Sequence, residues 1–105
     1  MEFVETSFFT QRVMELLTDE SYRNLQAVLA ENPRIGDVIP RSGGLRKLRW
    51  RDRGRGKRGG VRIIYYYCWS ANRLYMLFAY RKTDQNDLTS EQLNALRAYV
   101  RGGVV

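Results

Sequence analysis

Hydrophobic positions in the first third of the chain recur at helical spacing. Phe8, Phe9, Val13, Leu16 and Leu17 form the stripe of one amphipathic helix. Thr18 ahead of Asp19-Glu20 starts a second helix, whose apolar side carries Tyr22, Leu25, Val28 and Leu29. Asn32-Pro33 stops it, and before both helices Phe3-Val4 reads as a short edge strand. Residues 34–44 follow neither period and hold the turn signals Gly36, Pro40 and Gly43-Gly44. From Leu45 the period becomes two: Leu45, Lys47, Arg49 and Arg51 share one side, and Arg46, Leu48 and Trp50 the other. Residues 52–60 form a Gly/Arg/Lys loop. Val61 to Trp69 and Arg73 to Tyr80 are β-branched and aromatic runs that Ser70-Ala71-Asn72 joins as a hairpin. Thr89 and Gln92 make a capping box for a last helix carrying Leu93, Leu96 and Val100, ended by Gly102-Gly103.

The predicted order is β-α-α-β-β-β-α, with no repeat and no linker. At 105 residues, with 44% hydrophobic content, the chain suffices for one domain spanning residues 1–105. The expected fold is α+β: a small sandwich of N-terminal helices and a C-terminal helix packed on a mostly antiparallel sheet. With the helices on one face, the other face of the sheet is expected to stay open to a ligand.

Charge turns this scaffold toward a partner. Ten of the eighteen Lys and Arg residues lie between Arg41 and Arg62 against one acid, Asp52, so this stretch carries a formal +9. The first forty residues sum to −4 and those after Arg62 to +2. The net +7 therefore describes a local patch, the footprint of a polyphosphate ligand whose counterions are released on binding. Lys47, Arg49 and Arg51 form a row about 6–7 Å apart at strand rise, and such a row needs an anion or water in front of it. An edge strand protected against aggregation is the plainer account of it, but protection takes one or two charges. Gly54-Arg55-Gly56-Lys57-Arg58-Gly59-Gly60 lets backbone amides approach a phosphate, yet it lacks the spacing and the Ser/Thr of a nucleotide-binding P-loop. Arg62 interrupts an apolar strand and needs water, a phosphate, or an acid such as Asp84 or Asp87. Arg81-Lys82 ends the last strand, where a rigid element can aim a cation. Of the tyrosines, most are expected in the core, with one or two stacking on bases.

Other chemistries are excluded or disfavoured. The chain has no histidine and one cysteine, Cys68, inside an apolar run. That removes histidine-based catalysis, offers no metal-ligand cluster and fits a buried structural thiol. The N-terminus carries Glu2 and Glu5, unlike a signal peptide, and Arg62, Ser70, Asn72 and Arg73 interrupt the longest apolar run. A cytoplasmic protein without membrane contact is expected.

The runs Gly44-Leu45-Arg46-Lys47-Leu48-Arg49, Gly56-Lys57-Arg58-Gly59-Gly60-Val61-Arg62-Ile63-Ile64-Tyr65-Tyr66, and Tyr80-Arg81-Lys82 ahead of Asp87-Leu88 resemble the RelE/ParE superfamily of toxins. The likeness reaches from the first helices through Leu88 and is nearest to HigB-type members of toxin–antitoxin pairs. It implies a ribosome-dependent mRNA endoribonuclease that cuts codons in the decoding site, needs no cofactor, and is held inactive by a cognate, helix-turn-helix DNA-binding antitoxin. Carried over by position, Lys47 and Arg49 match the family's second-strand cations, Arg62 its phosphate-binding arginine and Lys82 its last cation. Arg46, Arg51, Arg55, Lys57, Arg58, Arg81 and Tyr80 are the further RNA-binding candidates. Where the best-studied branch has a catalytic tyrosine, this chain has Leu88, and Tyr80 is the alternative phenol.

On this reading the RNA supplies its own nucleophile, the 2′-OH. Lys47, crowded by cations, is the candidate general base; Arg49 and Arg62 stabilise the phosphorane, and Lys57 or Lys82 serves the leaving 5′-oxygen. A non-catalytic RNA- or ribosome-binding module and a ParE-type inhibitor of DNA gyrase are the alternatives. The strip Phe8, Phe9, Leu16 and Leu17 either receives the antitoxin or packs on the sheet.

Overall fold

Threonines start all three helices. In the computed structural model, which describes residues 1–51 and 60–104, α1 (Ser7–Leu16), α2 (Asp19–Glu31) and α3 (Ser90–Tyr99) follow Thr6, Thr18 and Thr89. Each hydroxyl accepts a hydrogen bond from a first-turn amide that has no partner within the helix, and Gln92 completes the capping box at Thr89. The strands are β1 (Glu2–Glu5), β2 (Asp37–Val38), β3 (Arg46–Trp50), β4 (Val61–Cys68) and β5 (Arg73–Arg81). They form one mixed sheet in the order β1-β5-β4-β3-β2, with β1 parallel to β5 and the other neighbours antiparallel. The hairpin turns through a 3-10 segment, Trp69–Ala71, and Asn72 in the left-handed region at φ 52°. The architecture is α+β, as the residue pattern predicted.

Two details differ from the pattern-based expectation. The turn-rich segment 34–44 contains β2, too short to show a period, which pairs Asp37 with Lys47 and Val38 with Arg46. The last helix also does not stop at Gly102-Gly103: a π-helical turn, Val100–Val104, carries the chain past them.

A larger correction concerns the face expected to be open. Ile63 and Tyr65 of β4, with Leu74, Met76 and Ala79 of β5, pack against Phe9, Val13, Leu16, Leu25 and Leu29 of the first two helices. On the opposite face Leu45, Ile64, Tyr75, Leu77 and Tyr80 pack with Leu93 and Leu96 of α3 and with Val100 just after it. The helices thus cover both faces, because β4 and β5 are apolar on both sides and each side must be covered. Among the described residues, a cleft opens at the end of that second face, beside β2, β3 and the start of β4.

A bulge in β5 decides which side chains reach that end. Ile64 pairs with Phe78 but Tyr65 with Met76, leaving Leu77 as the extra residue. The inserted residue reverses the alternation after it. Tyr80 consequently lies opposite Arg62, on the α3 face, while Arg81 lies opposite Val61 on the α1 face.

A buried tyrosine holds β2 in place. The Tyr65 hydroxyl, fully buried, donates to the Pro33 carbonyl at 2.8 Å and accepts from the Gly36 amide at 2.9 Å. Arg46 adds bonds to the carbonyls of Arg34 (3.1 Å) and Gly36 (2.7 Å). A Cβ on Gly36 would sit 2.9 Å from the Tyr65 ring and hydroxyl and 3.1 Å from the Lys47 carbonyl. Gly36→Ala is therefore expected to cost about 1–3 kcal/mol in urea unfolding through forced displacement of a buried ring. Among the described residues no helix is long and apolar enough to cross a membrane.

Candidate functional site

Lys47 and Arg49 of the cationic row on β3 face a cleft at one end of the sheet. Pairing of β3 with β4 sets Lys47 opposite Ile64 and Arg49 opposite Arg62, and β2 sets Asp37 beside Lys47. Lys82, the first residue beyond β5, donates its amide to the Gly60 carbonyl at 3.4 Å, which fixes the start of β4 against the end of β5. Lys47, Arg49, Arg62 and Lys82, with Asp37 and Asn86, line a cleft of about 180 Å³. The four candidate catalytic cations thus come together although 35 positions separate the first from the last.

The charge arrangement in the cleft is strained. Arg49 and Arg62 face each other directly across a ladder, where like charges repel. Arg62 is only 5% exposed. Burial, then the charge of Arg49 and further that of Arg51, makes its guanidinium less basic than usual, while Tyr80 and Asp87 act the other way. A bound anion would relieve the repulsion between the two guanidinium groups.

Asp87 ties the cleft to its rim. Its carboxylate accepts from Lys47 Nζ at 3.3 Å, from the Leu88 amide at 2.8 Å and from the Tyr80 hydroxyl at 3.4 Å. Burial opposes its charge, but those three donors prevail, so the carboxyl lies below its usual 3.8. Tyr80 is fully buried, and burial with the nearby Asp87 charge pushes its phenol up to about 12, despite an opposing pull from Arg62. It is a neutral donor at physiological pH. The turn after β5, closed by bonds from the Asp84 and Gln85 amides to the Arg81 carbonyl, carries these residues. Gln85 Nε2 locks it to the α3 cap through the Asp87 carbonyl and Gln92 Oε1, both at 2.8 Å.

Folding lowers the Asp87 pKa, so its contacts add stability above the ordinary carboxylate value and lose it as pH falls through the lower folded value. The pair is exposed, with side-chain accessibilities of 35% and 65%. Asp87→Asn is thus expected to change stability at pH 7 by no more than about 1 kcal/mol. It should also flatten the fall of the thermal midpoint as pH drops below about 4.

The other expected RNA-binding residues divide. Arg51 is exposed and continues the row of Lys47 and Arg49. Arg46 lies on the opposite side of β3, where its guanidinium holds the Arg34 and Gly36 carbonyls. The bulge sends Arg81 to the α1 face, where it donates to the Glu15 carbonyl at 3.4 Å. The buried Tyr80 offers no ring face for a base to stack on. Arg55, Lys57 and Arg58 lie outside the described residues. Leu88 packs into the α3-side core, a plain hydrophobic role.

Asp37 and Asn86 join the cleft without any signal in the sequence, the first from a segment that reads as turn and the second from the loop before α3. A wider depression of about 440 Å³ runs along α3, lined by Asn94, Arg97, Ala98, Arg101 and Gly102, and contains none of the expected site residues.

No family model matches the chain. Among solved structures, a mutant of the E. coli toxin RelE in the free state matches it with a TM-score of 0.61 at 10% sequence identity. The match covers 93% of this chain and 94% of that one. At so low an identity the likeness concerns the fold, and the five-stranded mixed sheet with its three helices is a RelE-like toxin fold.

Proposed function

We propose that this chain is a metal-independent, ribosome-dependent mRNA endoribonuclease of HigB type, the toxin of a toxin–antitoxin pair. The observation that carries the reading is the convergence of Lys47, Arg49, Arg62 and Lys82 on one cleft, with Arg49 set directly against Arg62. Two opposed guanidinium groups match the oxygens of a phosphodiester passing through a phosphorane, whose extra negative charge they bind better than the ground state. The 2′-OH attacks phosphorus, the bond to the 5′-oxygen breaks, and the products are a 2′,3′-cyclic phosphate and a 5′-OH. Lys82, at the cleft wall, is the donor for the leaving oxygen.

The 2′-OH proton needs an acceptor. Lys47 was the expectation from sequence, but it donates to Asp87 and accepts nothing while that bond lasts. The Asp87 carboxylate, already ionised beside the cleft, takes this role, with Lys47 orienting it. With only a weak carboxylate as base, such a site is a poor nuclease on free RNA. The ribosome, by fixing the message in line, supplies the positional advantage. Partners are therefore the ribosome with its mRNA and an antitoxin that keeps the cationic cleft idle.

The second reading, a non-catalytic RNA- or ribosome-binding module, draws on Leu88, which packs in the core where the family's catalytic tyrosine would stand. Primer extension on mRNA from a reconstituted translation reaction decides between them. Discrete in-frame cuts that vanish without ribosomes are expected. Arrested translation with intact mRNA would establish the binder, and no effect on either would overturn both.

A further inference from the structure

Asp37 has the wrong charge for a phosphate cleft. It lines the same space as Lys47, Arg49, Arg62 and Lys82, where a carboxylate weakens the grip on any phosphate. Neutralising Lys47, its cross-strand neighbour, does not account for it, because Lys47 Nζ goes to Asp87. The Asp37 carboxylate is exposed and makes no hydrogen bond with another described residue. Yet the residue before it is among the most firmly held in the molecule. The Gly36 amide bonds the buried Tyr65 hydroxyl, the Gly36 carbonyl bonds Arg46, and the Tyr65 ring leaves no room for a side chain there. The backbone of a two-residue strand is thus pinned so that Asp37 is carried at the wall of a cationic cleft, its carboxylate left available to a ligand.

We propose that Asp37 reads the base beside the reactive phosphate and selects guanine. The inference rests on the reading that the cleft holds single-stranded RNA, whose bases proteins recognise through their exposed edges. Guanine alone presents two adjacent donors, N1–H and the N2 amino group, which match the two oxygens of a carboxylate. Adenine and cytosine offer one amino group next to a ring nitrogen that repels the second oxygen, and uracil one N–H between two carbonyls. Asn86 lines the same cleft, and its amide can donate to guanine O6, next to N1 on that edge.

The test measures binding, so that it does not depend on cleavage. Guanosine 3′-monophosphate and uridine 3′-monophosphate are titrated separately into the full chain and followed by amide chemical shifts. The unmodified protein is expected to prefer the guanine nucleotide by on the order of tenfold, as a good bidentate base contact gives. Asp37→Asn is expected to bring the two affinities within about twofold of each other, while neither nucleotide binds more weakly through its phosphate, since a repelling charge has gone. Equal affinities in the unmodified protein, an undiminished preference in Asp37→Asn, or no binding of either nucleotide would overturn the proposal. Primer extension reports separately on the nuclease: a guanine preference without cuts would leave the base-reading pocket standing and remove the catalytic reading.

Discussion

Replacing Arg62 with alanine is expected to lower ribosome-dependent mRNA cleavage by about 10²–10³-fold, the usual effect of removing one preorganised donor from a developing oxyanion. Arg62 is rigidly placed in β4, nearly buried, and opposed by Arg49 across the ladder. On the proposed reading, the repulsion between the two guanidinium groups is relieved by the phosphate and most of all by the phosphorane. Arg62→Lys should restore only part of the loss, because an ammonium cannot grip two oxygens in one plane. Cleavage rates in the reconstituted translation reaction measure both variants, and ribosome pelleting checks that binding survives. Full activity in Arg62→Ala would mean that the phosphate is held elsewhere. Arg49→Gln separates function from stability, for it too should lose cleavage. In the free protein, however, removing the repulsion should leave stability unchanged or raise it by up to about 1 kcal/mol in urea unfolding.

Phe9→Ala is expected to cost about 3–5 kcal/mol of stability, whereas Phe8→Ala should stay within about 0.5 kcal/mol. The two neighbours are turned about 100° from each other around α1. Phe9 is fully buried among the side chains of α1, α2 and the sheet, with its ring 5.8 Å from that of Tyr22, while Phe8 is 69% exposed. Deleting the first empties a packed site that the rigid sheet cannot close; deleting the second exposes little more than it removes. Urea midpoints for the two variants give the comparison directly. The result also bears on the proposed antitoxin contact. Of the strip Phe8, Phe9, Leu16 and Leu17, only Phe8 is exposed, so only Phe8 is free to be covered by a partner. A small loss in Phe9→Ala would mean that α1 is held less tightly to the sheet than its burial implies.

Much of this architecture is written in local patterns. The helix starts at Thr18 and Thr89, the stop at Asn32, the hairpin of β4 and β5, and the cationic side of β3 follow from capping chemistry and residue period. These depend on neighbours a few positions apart, so the chain order alone specifies them. The concentration of +9 between Arg41 and Arg62 pointed to a polyanion for the same reason. The gathering of Lys47, Arg49, Arg62 and Lys82 was legible only through the resemblance that paired them, not through spacing.

Tertiary structure decided the rest. A single extra residue at Leu77 turns Tyr80 toward Arg62 and Arg81 away, and nothing in the run Arg73–Arg81 marks where the bulge falls, because every residue around it is apolar. The roles of Arg46, held by two backbone carbonyls, and of Lys47, held by Asp87 40 positions away, depend on contacts between distant segments. Asp37 enters the cleft only because Tyr65 and Arg46 pin a two-residue strand too short to carry a period. The sequence by itself thus determined the elements and the site of the concentrated positive charge, since both are sums over local residues. Which cations meet, which acid restrains them and which carboxylate joins their cleft were settled by strand register and a bulge, which exist only once the sheet has formed.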